Sequence, residues 1–215
     1  MEITWYGHSC FRLTERGMAS VVTDPYDSKV IGYAPLKLRA HIVTVSNDDP
    51  GHNNTSVVKS KPRIIKGPGE YEIGDVFITA VRTNGNSRRR KKEPYNTLYV
   101  FDYNGTTVAH LGDLRRMPHQ TQIEALGNLN VALVPVGGGG GLTAAKAAEV
   151  VSLVEPGVVI PMCYQTPDSK LKLDSVDKFL KEMGISDVEP LDSLKVSRTT
   201  VPDETRVVVL KYKRA

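Results

Sequence analysis

The sequence predicts a single α/β domain of two sheets covered by helices, on three observations. Short alternating apolar segments fill the first half of the 215-residue chain. Helical patterns interleave with strands in the second half, and no Pro-, Gly- and Ser-rich stretch divides the two. In chain order, segments 3–6 and 10–14 alternate as two strands around Gly7, and 20–23 is a third before Asp24-Pro25, which makes a meander. Segment 41–45 is an apolar strand that runs into a polar loop ending at His52, and 54–60 reads as a short helix. Strands follow at 63–65, 71–73 and 76–82. Segments 97–103 and 106–111 are joined by Asn104-Gly105, a dipeptide that favours a tight hairpin because both residues tolerate positive φ. From Gln120 the order becomes helix, strand (131–136), helix (143–153), strand (158–162), helix (175–183) and a closing strand (205–212). Thr143 suits an N-cap and Pro156-Gly157 a stop.

Composition places the chain among ordinary globular proteins, with 40% hydrophobic and 24% charged residues, 18 Gly and 13 Pro. It excludes a disordered tail, a collagen-like fibre and a disulfide miniprotein. No apolar run approaches the roughly 18 residues that cross a bilayer, and residues 1–11 lack the basic and apolar regions of a secretion signal. A cytoplasmic protein without a membrane partner is expected, with Cys10 and Cys163 as thiols. The formal charge of +4 looks like a footprint for nucleic acid until it is divided, because Arg88, Arg89, Arg90, Lys91 and Lys92 hold five of the 28 basic residues. A run in one polar stretch reads as a solvated mobile loop, spanning 84–94, so nucleic acid is disfavoured as a partner.

Polar or turn-forming clusters close most of the apolar strands: Gly7-His8-Ser9, Asp24-Pro25, 47–54, 83–86, Gly112-Asp113, 137–141 and Cys163-Tyr164. Loops carried by a rigid sheet are where sites are built. The glycine run 137–141 is not a phosphate loop, since no Gly-Lys-Ser/Thr follows it and Lys146 comes too late. Cys163 could serve as a nucleophile only if the fold brings His8 or His52 beside it.

At these clusters the chain resembles the metallo-β-lactamase superfamily, in the branch of ascorbate-6-phosphate lactonase-like metal-dependent hydrolases. The likeness is carried by Trp5-Tyr6-Gly7-His8-Ser9-Cys10-Phe11, Val22-Thr23-Asp24-Pro25, Gly67-Pro68-Gly69-Glu70-Tyr71-Glu72-Ile73, Ala109-His110-Leu111-Gly112-Asp113-Leu114, Val134-Pro135-Val136-Gly137-Gly138 and Ile160-Pro161-Met162-Cys163-Tyr164. The resemblance implies an αββα sandwich whose edge loops hold one or two metal ions, usually zinc. Such an ion lowers the pKa of bound water and polarises the group under attack.

The resemblance also implies a depleted ligand set. Where the family reads His-x-His-x-Asp-His, this chain reads Asn47-Asp48-Asp49-Pro50-Gly51-His52, and later family histidines match Asn84 and Cys163. Only His52 and Asp113 keep their ligand identities. A first site of Asn47, Asp49 and Asn84 would be poor for zinc, because amides are neutral and weakly basic. A second would keep His52, Asp113 and Cys163, with Asp49 as a further candidate, since Gly51 offers no side chain. His8, Asn47, Asp48 and Asn84 would line it.

The expected cofactor is therefore none, or a single zinc ion at this remnant site. Each residue also has a plainer role open to it: Cys163 as a buried thiol, His52 and Asp113 as loop or turn residues, and Asn47, Asp48 and Asp49 as turn formers. His41 and His110 read as packing groups or as groups that support the ligands from behind, and His119 as a surface residue. Three functions follow: a hydrolase homologue whose metal centre is largely lost and which binds a small molecule, a hydrolase with a rebuilt mononuclear site acting on a phosphorylated or lactone-type metabolite, and a nucleic-acid or acidic-partner module using 88–92. The sequence leaves self-association open.

Overall fold

Alternation of buried and partly exposed positions in β1 (Glu2–Trp5) and β2 (Phe11–Thr14) turns Ile3, Trp5, Phe11 and Leu13 to one face, and the two strands pair with Trp5 opposite Phe11. The computed structural model describes residues 1–83 and 94–214. The run Arg88–Lys92 and Asn84 lie outside the described residues, as does nearly all of the expected mobile loop 84–94. After β2 come β3 (Val21–Thr23), α1 (Ser28–Ile31), β4 (Ile42–Val45), a 3-10 turn (Thr55–Val57), β5 (Arg63–Lys66), β6 (Gly69–Ile73), β7 (Val76–Thr83), β8 (Asn96–Tyr103) and β9 (Thr106–His110). The second half holds α2 (Gln120–Leu126), β10 (Val131–Pro135), α3 (Ala144–Val154), β11 (Val158–Met162), α4 (Val176–Glu182), β12 (Leu194–Lys195) and β13 (Arg206–Val207).

These strands form two sheets, ordered β12-β1-β2-β3-β4-β5 and β13-β11-β10-β9-β8-β7-β6. β3, β4 and β5 run parallel, as do β9, β10, β11 and β13; the other neighbours are antiparallel. The distinction was written in the residues. β4, β10 and β11 are buried at every position because both faces are covered, whereas β7 alternates because one of its faces meets solvent. α3 begins where Thr143 accepts a hydrogen bond from Lys146 N–H and buries Ala147, Val150 and Val151. Asn104-Gly105 closes the β8–β9 hairpin, with Tyr103 opposite Thr106.

Some expectations need correction. The helix expected over 54–60 is only the 3-10 turn, and the closing strand shrinks to Arg206–Val207 with an isolated bridge from Leu210 to Leu191. α1 and β12 were not foreseen.

Two buried tyrosines of β8 cross between the sheets. Tyr99 Oη donates to Val45 O (2.8 Å) and Tyr103 Oη to Ala19 O (3.0 Å), so a strand of the seven-stranded sheet is fastened to carbonyls of the opposite layer. Tyr99→Phe leaves the buried Val45 carbonyl without this donor and is expected to cost about 1–2 kcal/mol in urea unfolding. A change near zero would mean that the hydroxyl fastens nothing.

Candidate functional site

The site is built where parallel strands stop. β3 ends at Asp24, β4 runs into 46–52, β9 into Gly112-Asp113, β10 into the glycine run, and β11 into Cys163, while His8 comes from the β1–β2 turn. Gly112 allows the two layers to meet here. It has φ +58°, and a Cβ on it would stand 2.4 Å from Asn96 Oδ1 and 2.5 Å from Ser46 Cβ.

Asp24 has no exposed surface and is fully partnered. Its Oδ1 accepts from Ser46 N–H (2.8 Å), and its Oδ2 accepts from Ser46 Oγ (2.6 Å) and from His52 Nδ1 (2.8 Å). Ser9 Oγ lies 3.0 Å from the same His52 nitrogen. Donation to Asp24 fixes the proton of His52 on Nδ1 and aims Nε2 at His8 Nε2, 3.3 Å away. Burial alone would lower the pKa of His52, but the hydrogen bond and charge of Asp24, with Asp113 and Asp49 nearby, raise it above its ordinary value. Burial and then the adjacent His52 push His8 down to about 3, so it is a neutral imidazole. Against the opposing pull of burial, His110, His52 and Ser46 hold the Asp24 carboxyl low.

His8, Asp49, His52, Asp113 and Cys163 all border one cavity of about 240 Å³, which Arg115 and the glycine run also line. The fold therefore gathers most of the residues singled out in the sequence. Several of their polar atoms are, however, already held by other groups of the protein. Asp113 Oδ2 accepts from Arg115 Nε (2.8 Å) and Nη2 (2.6 Å). Asp49 Oδ1 accepts from Gly51 N–H (2.9 Å), and Asn47 Oδ1 from Asp49 N–H (2.8 Å), so both act as turn formers. Asp48 accepts from Tyr95 Oη (2.6 Å) at the exposed surface, and neither it nor Asn47 borders the cavity, contrary to the expectation that both would line the site.

Cys163, at φ +54°, donates its N–H to His8 O (3.2 Å), and burial raises its thiol well above the ordinary range. Without an adjacent cation the thiol is thus neutral, which does not suit a nucleophile. At Gly51 a Cβ would lie 3.0 Å from Ile31 Cδ1 and 3.3 Å from His8 Nε2. His8 and Ile31 therefore crowd the direction in which a residue-51 carboxylate would project. Among the described residues no three His, Cys, Asp or Glu side chains form a group that could hold a metal ion. The arrangement fits a dinuclear centre poorly, because the carboxylate of Asp113, which the resemblance would place between two ions, faces a guanidinium and the His52 nitrogen faces another imidazole.

Three contributors escaped the sequence reading. Ser9 and Asp24 were visible as members of strand-end clusters and of the segments that carry the resemblance, with no role given to either, and Arg115 carried no signal beyond following Gly112-Asp113. His110 is buried as expected of a packing group, with Nε2 on Ser9 O (2.9 Å), but its Nδ1 has no hydrogen-bond partner among the described residues.

A two-sheet sandwich with its cavity at the carboxyl ends of parallel strands, ringed by His, Asp and Cys, defines a protein of the metallo-β-lactamase fold. The chain belongs to the β-lactamase superfamily, whose domain model matches residues 2–163. It is similar to a crystal structure from Thermotoga maritima placed in the metallo-β-lactamase superfamily, at 36% identity, 97% coverage of both chains and a TM-score of 0.80. A UPF0173 protein of Pyrococcus furiosus is 26% identical over 91% of this chain and 100% of its own length. A UPF0173 metal-dependent hydrolase of Thermoplasma acidophilum is 26% identical over 78% of this chain and 85% of its own. No helix of the described residues is long and apolar enough to cross a membrane.

The buried imidazoles predict a pH response. His8 titrates at 6.5 when unfolded and near 3 when folded, so its contribution is present above about pH 6.5 and is lost as pH falls toward 3. His52 works the other way: its contribution is full below 6.5 and is lost as pH rises through its raised folded value. His8→Asn is expected to flatten the acid limb of stability against pH in urea unfolding between pH 6.5 and 4. An acid limb as steep as the wild type's would show that His8 is not held neutral.

Proposed function

We propose that this chain is a metal-dependent-hydrolase homologue that has given up the dinuclear centre and keeps the cavity to bind a small molecule, with hydrolysis weak or absent. The observation that carries this reading is the Arg115–Asp113 ion pair. Its two contacts of 2.6 and 2.8 Å place a guanidinium on the carboxylate that the resembled ligand set would share between ions. A fixed cation there supplies positive charge that a metal would otherwise bring and repels an incoming ion at the same oxygen. Two neutral amide positions and a missing side chain at Gly51 would not compensate for dehydrating an ion. The relatives' description as metal-dependent hydrolases supports the ancestry of the cavity rather than a particular reaction.

A second reading, one zinc ion at His52, Asp113 and Cys163, is favoured by their position on the same cavity. It requires an ion to bind Asp113 beside the Arg115 guanidinium, which already holds Oδ2, and the Cys163 thiol to lose its proton. Elemental analysis of protein expressed with supplementary zinc and manganese separates the two. Well under one equivalent of zinc, manganese or iron is expected. About one equivalent, lost in Cys163→Ser and in His52→Ala, would establish the mononuclear site instead, and about two would overturn both readings. Arg115→Gln, which frees Asp113, is expected to raise zinc uptake above that of the wild type. Unchanged uptake would remove the ion pair as the cause of metal loss.

A further inference from the structure

Residues 28–69 contain seven cations, Lys29, Lys37, Arg39, Lys59, Lys61, Arg63 and Lys66, against two acids, Asp48 and Asp49, which belong to the cavity loop. Setting aside 88–92, the remainder of the chain is net acidic, so the positive charge outside that run is concentrated here.

Folding then aligns six of these cations. Segment 37–41 lies extended beside 58–63: Leu38 and Val58 form a parallel bridge, Lys59 N–H donates to Leu38 O (3.1 Å), Ala40 N–H to Ser60 Oγ (2.9 Å) and Arg63 N–H to His41 O (2.8 Å). Leu38 and Ala40 are buried, which turns the alternate residues Lys37, Arg39 and His41 outward. Lys59, Lys61, Arg63 and Lys66 are exposed on the neighbouring segment, which continues into the edge strand β5. None of the six Lys and Arg side chains in these two segments forms an ion pair among the described residues.

Two adjacent rows of like charge with no internal counter-charge set up a local positive potential that only an external anion can neutralise. A protein partner would call for aromatic or apolar anchors, and lysine is depleted in such interfaces. The edge offers Ile64 as its one exposed large apolar side chain. A phosphate backbone needs no such anchor, because release of counterions supplies the binding energy. Neither segment contains a Phe, Tyr or Trp, and His41 is the one ring on which an unpaired base could stack, which points away from single strands.

We propose that the edge formed by residues 37–41 and 58–66 binds the phosphate backbone of a nucleic-acid duplex without regard to base sequence. This surface is separate from the cavity, and its test does not depend on the metal content of the protein.

The experiment titrates the full chain into a fluorescein-labelled, mixed-sequence DNA duplex of 25 base pairs at 50 and 200 mM NaCl. With four phosphates engaged, affinity should fall roughly a hundred-fold between the two salt concentrations. Lys37→Ser, Arg39→Ser and Lys59→Ser together should weaken binding about ten-fold or more at 50 mM NaCl and flatten the salt dependence, with Tm unchanged. Replacing Lys178 and Lys211 by Ser, outside the edge, should leave binding as it is. The proposal is overturned if the duplex does not bind at 50 mM NaCl or if the triple variant binds like wild type. It is equally overturned if binding is lost only when Arg88–Lys92 are replaced by Ser, or if poly-glutamate binds more tightly than the duplex.

Discussion

Everything at the cavity hangs on the Asp24 carboxylate. A charge with no exposed surface has to be partnered on each oxygen, since a buried unpaired ion costs several kcal/mol. Ser46 supplies two of its hydrogen bonds and His52 the third. Those contacts fix where β4 ends, how the 46–52 loop folds back, which nitrogen of His52 carries the proton, and that His52 must look toward His8. The neutral state of His8 follows from burial first and from the neighbouring His52 second.

The cavity is consequently self-satisfied. A cluster of carboxylates and imidazoles that waits for ions is mutually repulsive when empty, which costs the fold stability until metal arrives. Here acid faces base: Asp24 faces His52, Asp113 faces Arg115, and Asp49 bonds its own loop. These contacts tie the cavity loops to one another and to the strands that carry them.

Much of this was legible in the sequence, and what escaped did so for identifiable reasons. Continuous apolar runs marked β4, β10 and β11, and Asn104-Gly105 marked its hairpin, because those signals are local. α1 is four residues long, set by the Asp27 cap and by Gly32 in the left-handed region, and β12 and β13 are two-residue pairings, so tertiary contact rather than local pattern decides them. In the site, the strand-end loops and the missing side chain at Gly51 could be read, but not that His8 stands beside that position. The choice of Arg115 as partner of Asp113 depends on side-chain direction, which spacing does not encode. The paired rows of cations were hidden for a different reason: Lys37 and Lys59 are far apart along the chain and become neighbours only through the parallel bridge.

The two fastenings made by Tyr99 and Tyr103 have a bearing on how such a cavity could change over time. Asp24 and His52 are carried by one sheet, whereas Asp113, Cys163 and the glycine run are carried by the other. The width of the cleft is therefore a dimension of the sandwich itself, set by how thickly the layer between the sheets is filled. Enlarging or trimming an interior side chain such as Phe101 or Val108 would respace the two walls without touching either one. A lineage could retune what the cleft admits by drift in its interior, leaving every wall residue as it was.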